Sequence, residues 1–139
     1  MTWVIAALLS AAFAALVAIF GKVGLASVDT TLATAIRASI MAVFLVGAAA
    51  TLGKFESIST ISGRTFLFIT LSGVAGALSW LFYFFALKLG PASGVAALDR
   101  LSVVFVLVFA ILFLGEAFTW KAGLGAAFIT LGAILMTIK

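Results

Sequence analysis

The chain predicts an all-α integral membrane protein, a five-transmembrane-helix bundle, and three observations lead there. Hydrophobic residues fill 66% of its 139 positions and charged residues only 9%, against roughly 25% charged in a soluble domain. The apolar residues fall in five runs, near residues 3–21, 31–52, 66–87, 92–114 and 120–138, each 19 to 23 residues long. About 20 helical residues at 1.5 Å rise cross a ~30 Å hydrocarbon core, so every run can span. The runs are also continuous, whereas the strands of a membrane barrel alternate apolar and polar over about ten residues. The connectors around 21–30, 53–64, 88–91 and 115–119 are too short to fold separately, and residues 1–139 read as one membrane domain.

Each run has its own marks. Only Met1 and Thr2 precede the first, without a basic leader, and the run is longer than the apolar core of a signal peptide, so it reads as a retained span. Ala11, Ala12, Ala14, Ala15 and Ala18 crowd it, and small residues let helices approach closely in lipid. The second run carries Arg37. In the third, Gly76, Trp80, Tyr83 and Leu87 follow i, i+4, i+7, i+11 spacing on one stripe, bordered by Ser72 and Ser79. The fourth opens on Gly90-Pro91-Ala92-Ser93-Gly94, a tight connector expected to leave its start loosely wound, and carries Asp99 and Arg100. The fifth is glycine-rich. Gly125 and Gly132 lie one heptad apart, and Gly123 with Ala127 forms a small-xxx-small pair, a candidate dimer contact. Trp3 and Trp120 each start a span and read as interfacial anchors.

The charges inside the spans are the candidate functional groups. Arg37 lies seven residues after Thr30, and Asp99 seven after Ala92, so each sits roughly 10 Å along its helix. Spans two and four start on the same face, so the depths match. A charge at a helix centre costs on the order of 2.5 to 3.5 kcal/mol on insertion scales, which calls for an interior partner or a wet cavity. An Arg37–Asp99 pair across spans two and four is the simplest solution; its plain role is to hold the helices in register, its functional role to face a polar path. Arg100 points about 100° away from Asp99. Trp80 lies well inside its span, where its N–H wants a partner. Trp80 and Tyr83 either pack the bundle core or line a cavity able to stack a flat or cationic solute.

Five spans place the two ends on opposite faces. The N-terminus and the loops at 53–64 and 115–121 share one face, with Lys54, Arg64 and Lys121; the other carries Lys22, Lys88 and Lys139. The count is balanced, and only Arg37 and Arg100, which enter from the second face, tip it toward the cytoplasm under the positive-inside rule. Insertion in both orientations is therefore open, beside a fixed topology.

Composition excludes other classes. The net charge of +4 comes from eight scattered Lys and Arg with no basic cluster, so nucleic acid is not an expected partner. With no cysteine and no histidine, neither a catalytic site nor a metal or cofactor site is expected. Glu56 and Glu116 are isolated in loops, which makes an integral membrane enzyme a poor reading.

Phe20-Gly21-Lys22, Ala35-Ile36-Arg37, Tyr83-Phe84-Phe85-Ala86-Leu87 and above all Phe113-Leu114-Gly115-Glu116, followed by a glycine-rich fifth span, resemble an EamA domain of the drug/metabolite transporter superfamily. The resemblance covers essentially the entire chain. It implies a secondary transporter of small solutes, namely metabolites, amino acids or drugs, working by alternating access in a cell membrane, that of a bacterial inner membrane. Typical members carry two such domains in inverted orientation, and this chain carries one, with an Asp99-Arg100 dipeptide that looks particular to single-domain members. A homodimer of inverted, antiparallel subunits would rebuild the ten-helix carrier. Arg37 and Asp99 would then gate or polarise the cavity, Trp80 and Tyr83 would line it, and Lys22 and Arg100 would attract anionic groups. Asp99, the one acid well inside a span, is the candidate for proton coupling. The alternative is a non-transporting membrane subunit that assembles with a partner chain. The four-helix multidrug family competes by size, but it relies on an acid in its first span, and no charge precedes Lys22 here.

Overall fold

A computed structural model describes residues 2–138; Lys139, counted above for topology, lies outside the described residues. The elements in order are α1 (Thr2–Gly24), α2 (Thr30–Thr51), a 3-10 helix (Lys54–Thr60), α3 (Gly63–Leu89), α4 (Ala92–Asp99), α5 (Ser102–Leu114) and α6 (Trp120–Leu135). The protein is all-α. Helices α1, α2, α3 and the α4–α5 segment are each long and apolar enough to cross a membrane, and α6 is a shorter apolar helix. The chain is an integral, multi-pass membrane protein.

Local chemistry sets the helix ends. The Asp29 carboxylate accepts from the N–H of Thr31 at 2.9 Å and of Leu32 at 3.0 Å, capping α2. The Thr119 hydroxyl accepts from Ala122 N–H and caps α6. Gly53 and Gly115 take φ of 65° and 68° just past α2 and α5, a left-handed turn that glycine adopts without a Cβ clash. Lys22 and Lys88 lie in the last turns of α1 and α3, where a cation meets the negative helix end. Within the spans, the hydroxyls of Thr34, Ser39, Thr70 and Thr130 donate to the carbonyl four residues earlier. In hydrocarbon this local bond replaces the water such a group lacks.

The helices add detail to the apolar runs, and one expectation is corrected. Helix α3 begins at Gly63 and runs 27 residues, so the helix extends past the apolar run 66–87 at both ends; at its start Ser62 caps a polar first turn that hydropathy does not register. The 53–64 connector, read as too short to fold separately, holds the 3-10 helix. The fourth run is not one regular helix: Val103 N–H bonds to Arg100 O and Val104 N–H to Leu101 O, three residues back instead of four. Its start, expected to be loose, is regular; Val95 N–H reaches Pro91 O at 3.0 Å and Pro91 supplies the fixed φ of a helix entrance. The irregularity thus lies at Arg100 and Leu101, not at Gly90 to Gly94. Helix α6 spans 16 residues, roughly 24 Å at helical rise. Ile138 N–H still bonds to Ile134 O, so helical turns continue past its end.

The chain divides into two compact units. One comprises the first helix up to Lys22 together with everything from Leu89 on; the other is Val23–Lys88. In the first, α6 packs with α4 and α5, and the buried residues are small: Ala18, Gly94, Ala110 and Ala133. A Cβ on Gly94 would stand 3.3 Å from Pro91 Cγ and 3.6 Å from Met136 O, so glycine sets the approach of α4 to the end of α6. In the second unit, Leu25, Thr34, Phe84 and Leu87 are buried. Large side chains such as Phe13, Phe44, Phe82, Phe105 and Phe128 point outward on the helices, as suits a lipid solvent. Trp3 and Trp120 are 75% and 67% exposed at span starts.

Candidate functional site

In the Val23–Lys88 unit the predicted stripe on α3 forms one face: Gly76, Trp80 and Tyr83 are half-buried and Leu87 is fully covered. Ser72 and Ser79 are exposed. Trp80 and Tyr83 meet edge to face, with centroids 5.5 Å apart and planes at 78°. Phe84, four residues after Trp80, joins them at 5.8 Å from the indole and 6.3 Å from the phenol. It was not among the candidate cavity residues, although the i, i+4 spacing from Trp80 could have found it.

The Arg37–Asp99 pair rested on matching depth alone. Within its own unit Arg37 has another companion: its Cζ lies 3.5 Å from the centroid of Trp80 and 5.4 Å from that of Phe84. The shorter distance is the van der Waals separation of two stacked planes, optimal for carbon atoms at about 3.5 to 4.0 Å. The cation on the indole face is the chain's own, where the sequence left room for a cationic solute. Such a contact contributes roughly 0.5 to 2 kcal/mol, short of the ~2.5 to 3.5 kcal/mol that insertion scales assign to an arginine at a helix centre. Stacking also engages only the face of the guanidinium, and its in-plane N–H donors project from the edge.

The other unit holds Lys22, Asp99 and Arg100. The Lys22 ammonium donates to Gly90 O at 2.8 Å, tying the end of α1 to the connector before α4. In the Val23–Lys88 unit, Lys88 does the converse and donates to Val28 O at 2.8 Å. Asp99 Oδ2 and an Arg100 terminal nitrogen are 3.8 Å apart, with side chains 37% and 52% exposed. At that separation and exposure the ion pair is worth little. Their placement at the helix irregularity is more informative: Arg100 follows the negative end of α4, and Asp99 precedes the positive end of α5.

In span five the surroundings of the glycines differ. A Cβ on Gly123 would come 2.8 Å from Phe118 Cζ, so the chain's own phenyl ring covers Gly123; Gly125 and Gly132 have open space among the described residues.

Comparison with known proteins agrees with this architecture. The model of the EamA-like transporter family matches residues 1–138. A Sinorhizobium sp. protein, an uncharacterized transporter in the cobO 3' region, is 49% identical over 137 residues, covering 99% of this chain and 97% of that protein. The relative is thus of matching extent. No solved structure matches the chain. Its helices, and a family match that runs through all of them, make this chain a member of the EamA-like transporter family, a family of membrane transporters and not of enzymes.

Proposed function

We propose that the protein is a secondary transporter of small solutes that works by alternating access as a homodimer of oppositely inserted subunits in the inner membrane of a bacterial cell. The observation that carries this reading is the single family match over residues 1–138, in a chain whose connectors carry near-equal positive charge on the two faces. A carrier built from two inverted halves can be assembled from one kind of half when neither orientation is favoured. Arg37, Trp80 and Tyr83 form one substrate-binding group on this reading, and Lys22, Asp99 and Arg100 another. Asp99 at the α4–α5 irregularity is the group for proton coupling, since a mid-helix 3-10 stretch often marks a hinge.

Reconstitution in liposomes tests it. Proteoliposomes preloaded with unlabelled metabolite pools should accumulate the matching labelled solute by exchange, and the Asp99→Asn variant should lose acceleration by a pH gradient. Correctly folded protein that exchanges no metabolite, amino acid or drug of a broad panel would remove the transport reading and leave a structural subunit.

A further inference from the structure

We infer that the edge of the Arg37 guanidinium, held by Trp80 and Phe84, is the recognition point for a small organic monoanion, bound through its carboxylate. The inference rests on the transport reading and specifies the substrate class at one of its binding groups.

Four observations lead to it. The guanidinium is stacked 3.5 Å from the Trp80 centroid, which fixes its plane while leaving a rigid fork of N–H donors in that plane. Carboxylates match this fork with two parallel bonds, and an ammonium solute would be repelled. The unit's own acids do not fill the fork. Among residues 23–88 these are Asp29 and Glu56. Asp29 is spent on the N-terminus of α2, eight residues or roughly 12 Å of helix from Arg37, and Glu56 lies in the 3-10 helix beyond the far end of α2.

Charge then sets the valence of the ligand. The other cations of the unit are Lys54, Arg64 and Lys88. Lys88 donates to Val28 O at the end of α3, eight residues or roughly 12 Å beyond Trp80. Lys54 and Arg64 belong to the opposite ends of α2 and α3. Within this unit one positive charge therefore stands at this depth, and one guanidinium fork matches one carboxylate. Tyr83 and Phe84, set at 78° and 51° to neighbouring rings, offer apolar surface for the body of such a solute.

Trp80 makes the idea measurable, because it is one of three tryptophans and the other two sit at span starts. In purified protein carrying Trp3→Phe and Trp120→Phe, Trp80 emission should change saturably with benzoate and stay flat with benzylamine, which has the same ring but a cationic head. Arg37→Gln should abolish the benzoate response. Arg37→Lys, which keeps the charge without the fork, should weaken it roughly tenfold while the far-UV circular dichroism stays that of the parent. An equal response to benzylamine, a benzoate response that does not saturate or is absent, or full binding by Arg37→Lys would overturn the inference. The two readings fail separately: saturable benzoate binding without flux in liposomes removes transport alone, and flux of an organic cation without benzoate binding removes the anion site alone.

Discussion

Asp29 illustrates how a single side chain can matter at a membrane surface. Its carboxylate accepts from the N–H of Leu32 and of Thr31, and these bonds, with a minor contribution from the charge of Lys88, hold its pKa below the ordinary 3.8 against the opposing effect of desolvation. A carboxyl whose folded pKa is depressed stabilises the fold above its unfolded pKa and loses that contribution as pH falls through the folded value. Thermal unfolding in detergent should therefore show Asp29→Ala less stable than the parent at neutral pH, with the gap closing below pH 3.8. Asparagine caps nearly as well as aspartate. Asp29→Asn should accordingly keep most of the neutral-pH stability and flatten the acid limb. A gap that persists unchanged into strong acid would mean the carboxylate charge is irrelevant there. Gly94 is the second position where one residue decides geometry. Gly94→Leu must force α4 from the end of α6, where Met136 O already stands 3.6 Å from a built Cβ, at a cost of about 1 to 3 kcal/mol. Gly123→Ala meets only the movable Phe118 ring and should leave the melting temperature nearly unchanged.

At the scale of elements, the α4–α5 junction separates two kinds of information. The existence of the apolar runs was legible because hydropathy averages over some twenty residues, and one irregular turn barely alters that average. The junction was not legible: shifting the hydrogen bonds of Arg100, Leu101, Val103 and Val104 from i−4 to i−3 changes neither composition nor hydropathy, and the glycine and proline that drew attention to 90–94 turned out to start a helix. The same limit applies to Arg37. Counting residues from Thr30 gives its depth in the membrane but not its bearing around α2, and bearing decides that Trp80 is its companion. The aromatic stripe was legible, since helical spacing fixes bearing within one helix. Hydrogen exchange checks the junction. The amides of Val103 and Val104, bonded to Arg100 and Leu101, should exchange faster than those in the middle of α5, and uniform protection across Asp99 to Phe109 would show a continuous helix.

For the whole molecule, the consequential quantity is the balance of positive charge between faces. Lys54, Arg64 and Lys121 oppose Lys22, Lys88 and Lys139 in the primary sequence, so a few added lysines should decide orientation. Two variants make the test. One carries three extra lysines between Gly115 and Thr119, the other three between Ala26 and Asp29, and each should insert in a single, opposite orientation, read from the labelling of a C-terminal tag. If the working carrier needs subunits of both orientations, neither variant alone should exchange solute in liposomes. The two co-expressed should recover the parent's activity, because each supplies the half the other lacks. Full activity from one variant expressed alone would show that inversion is not required, and a parent tag that labels from one side only would show that the native chain never adopts it.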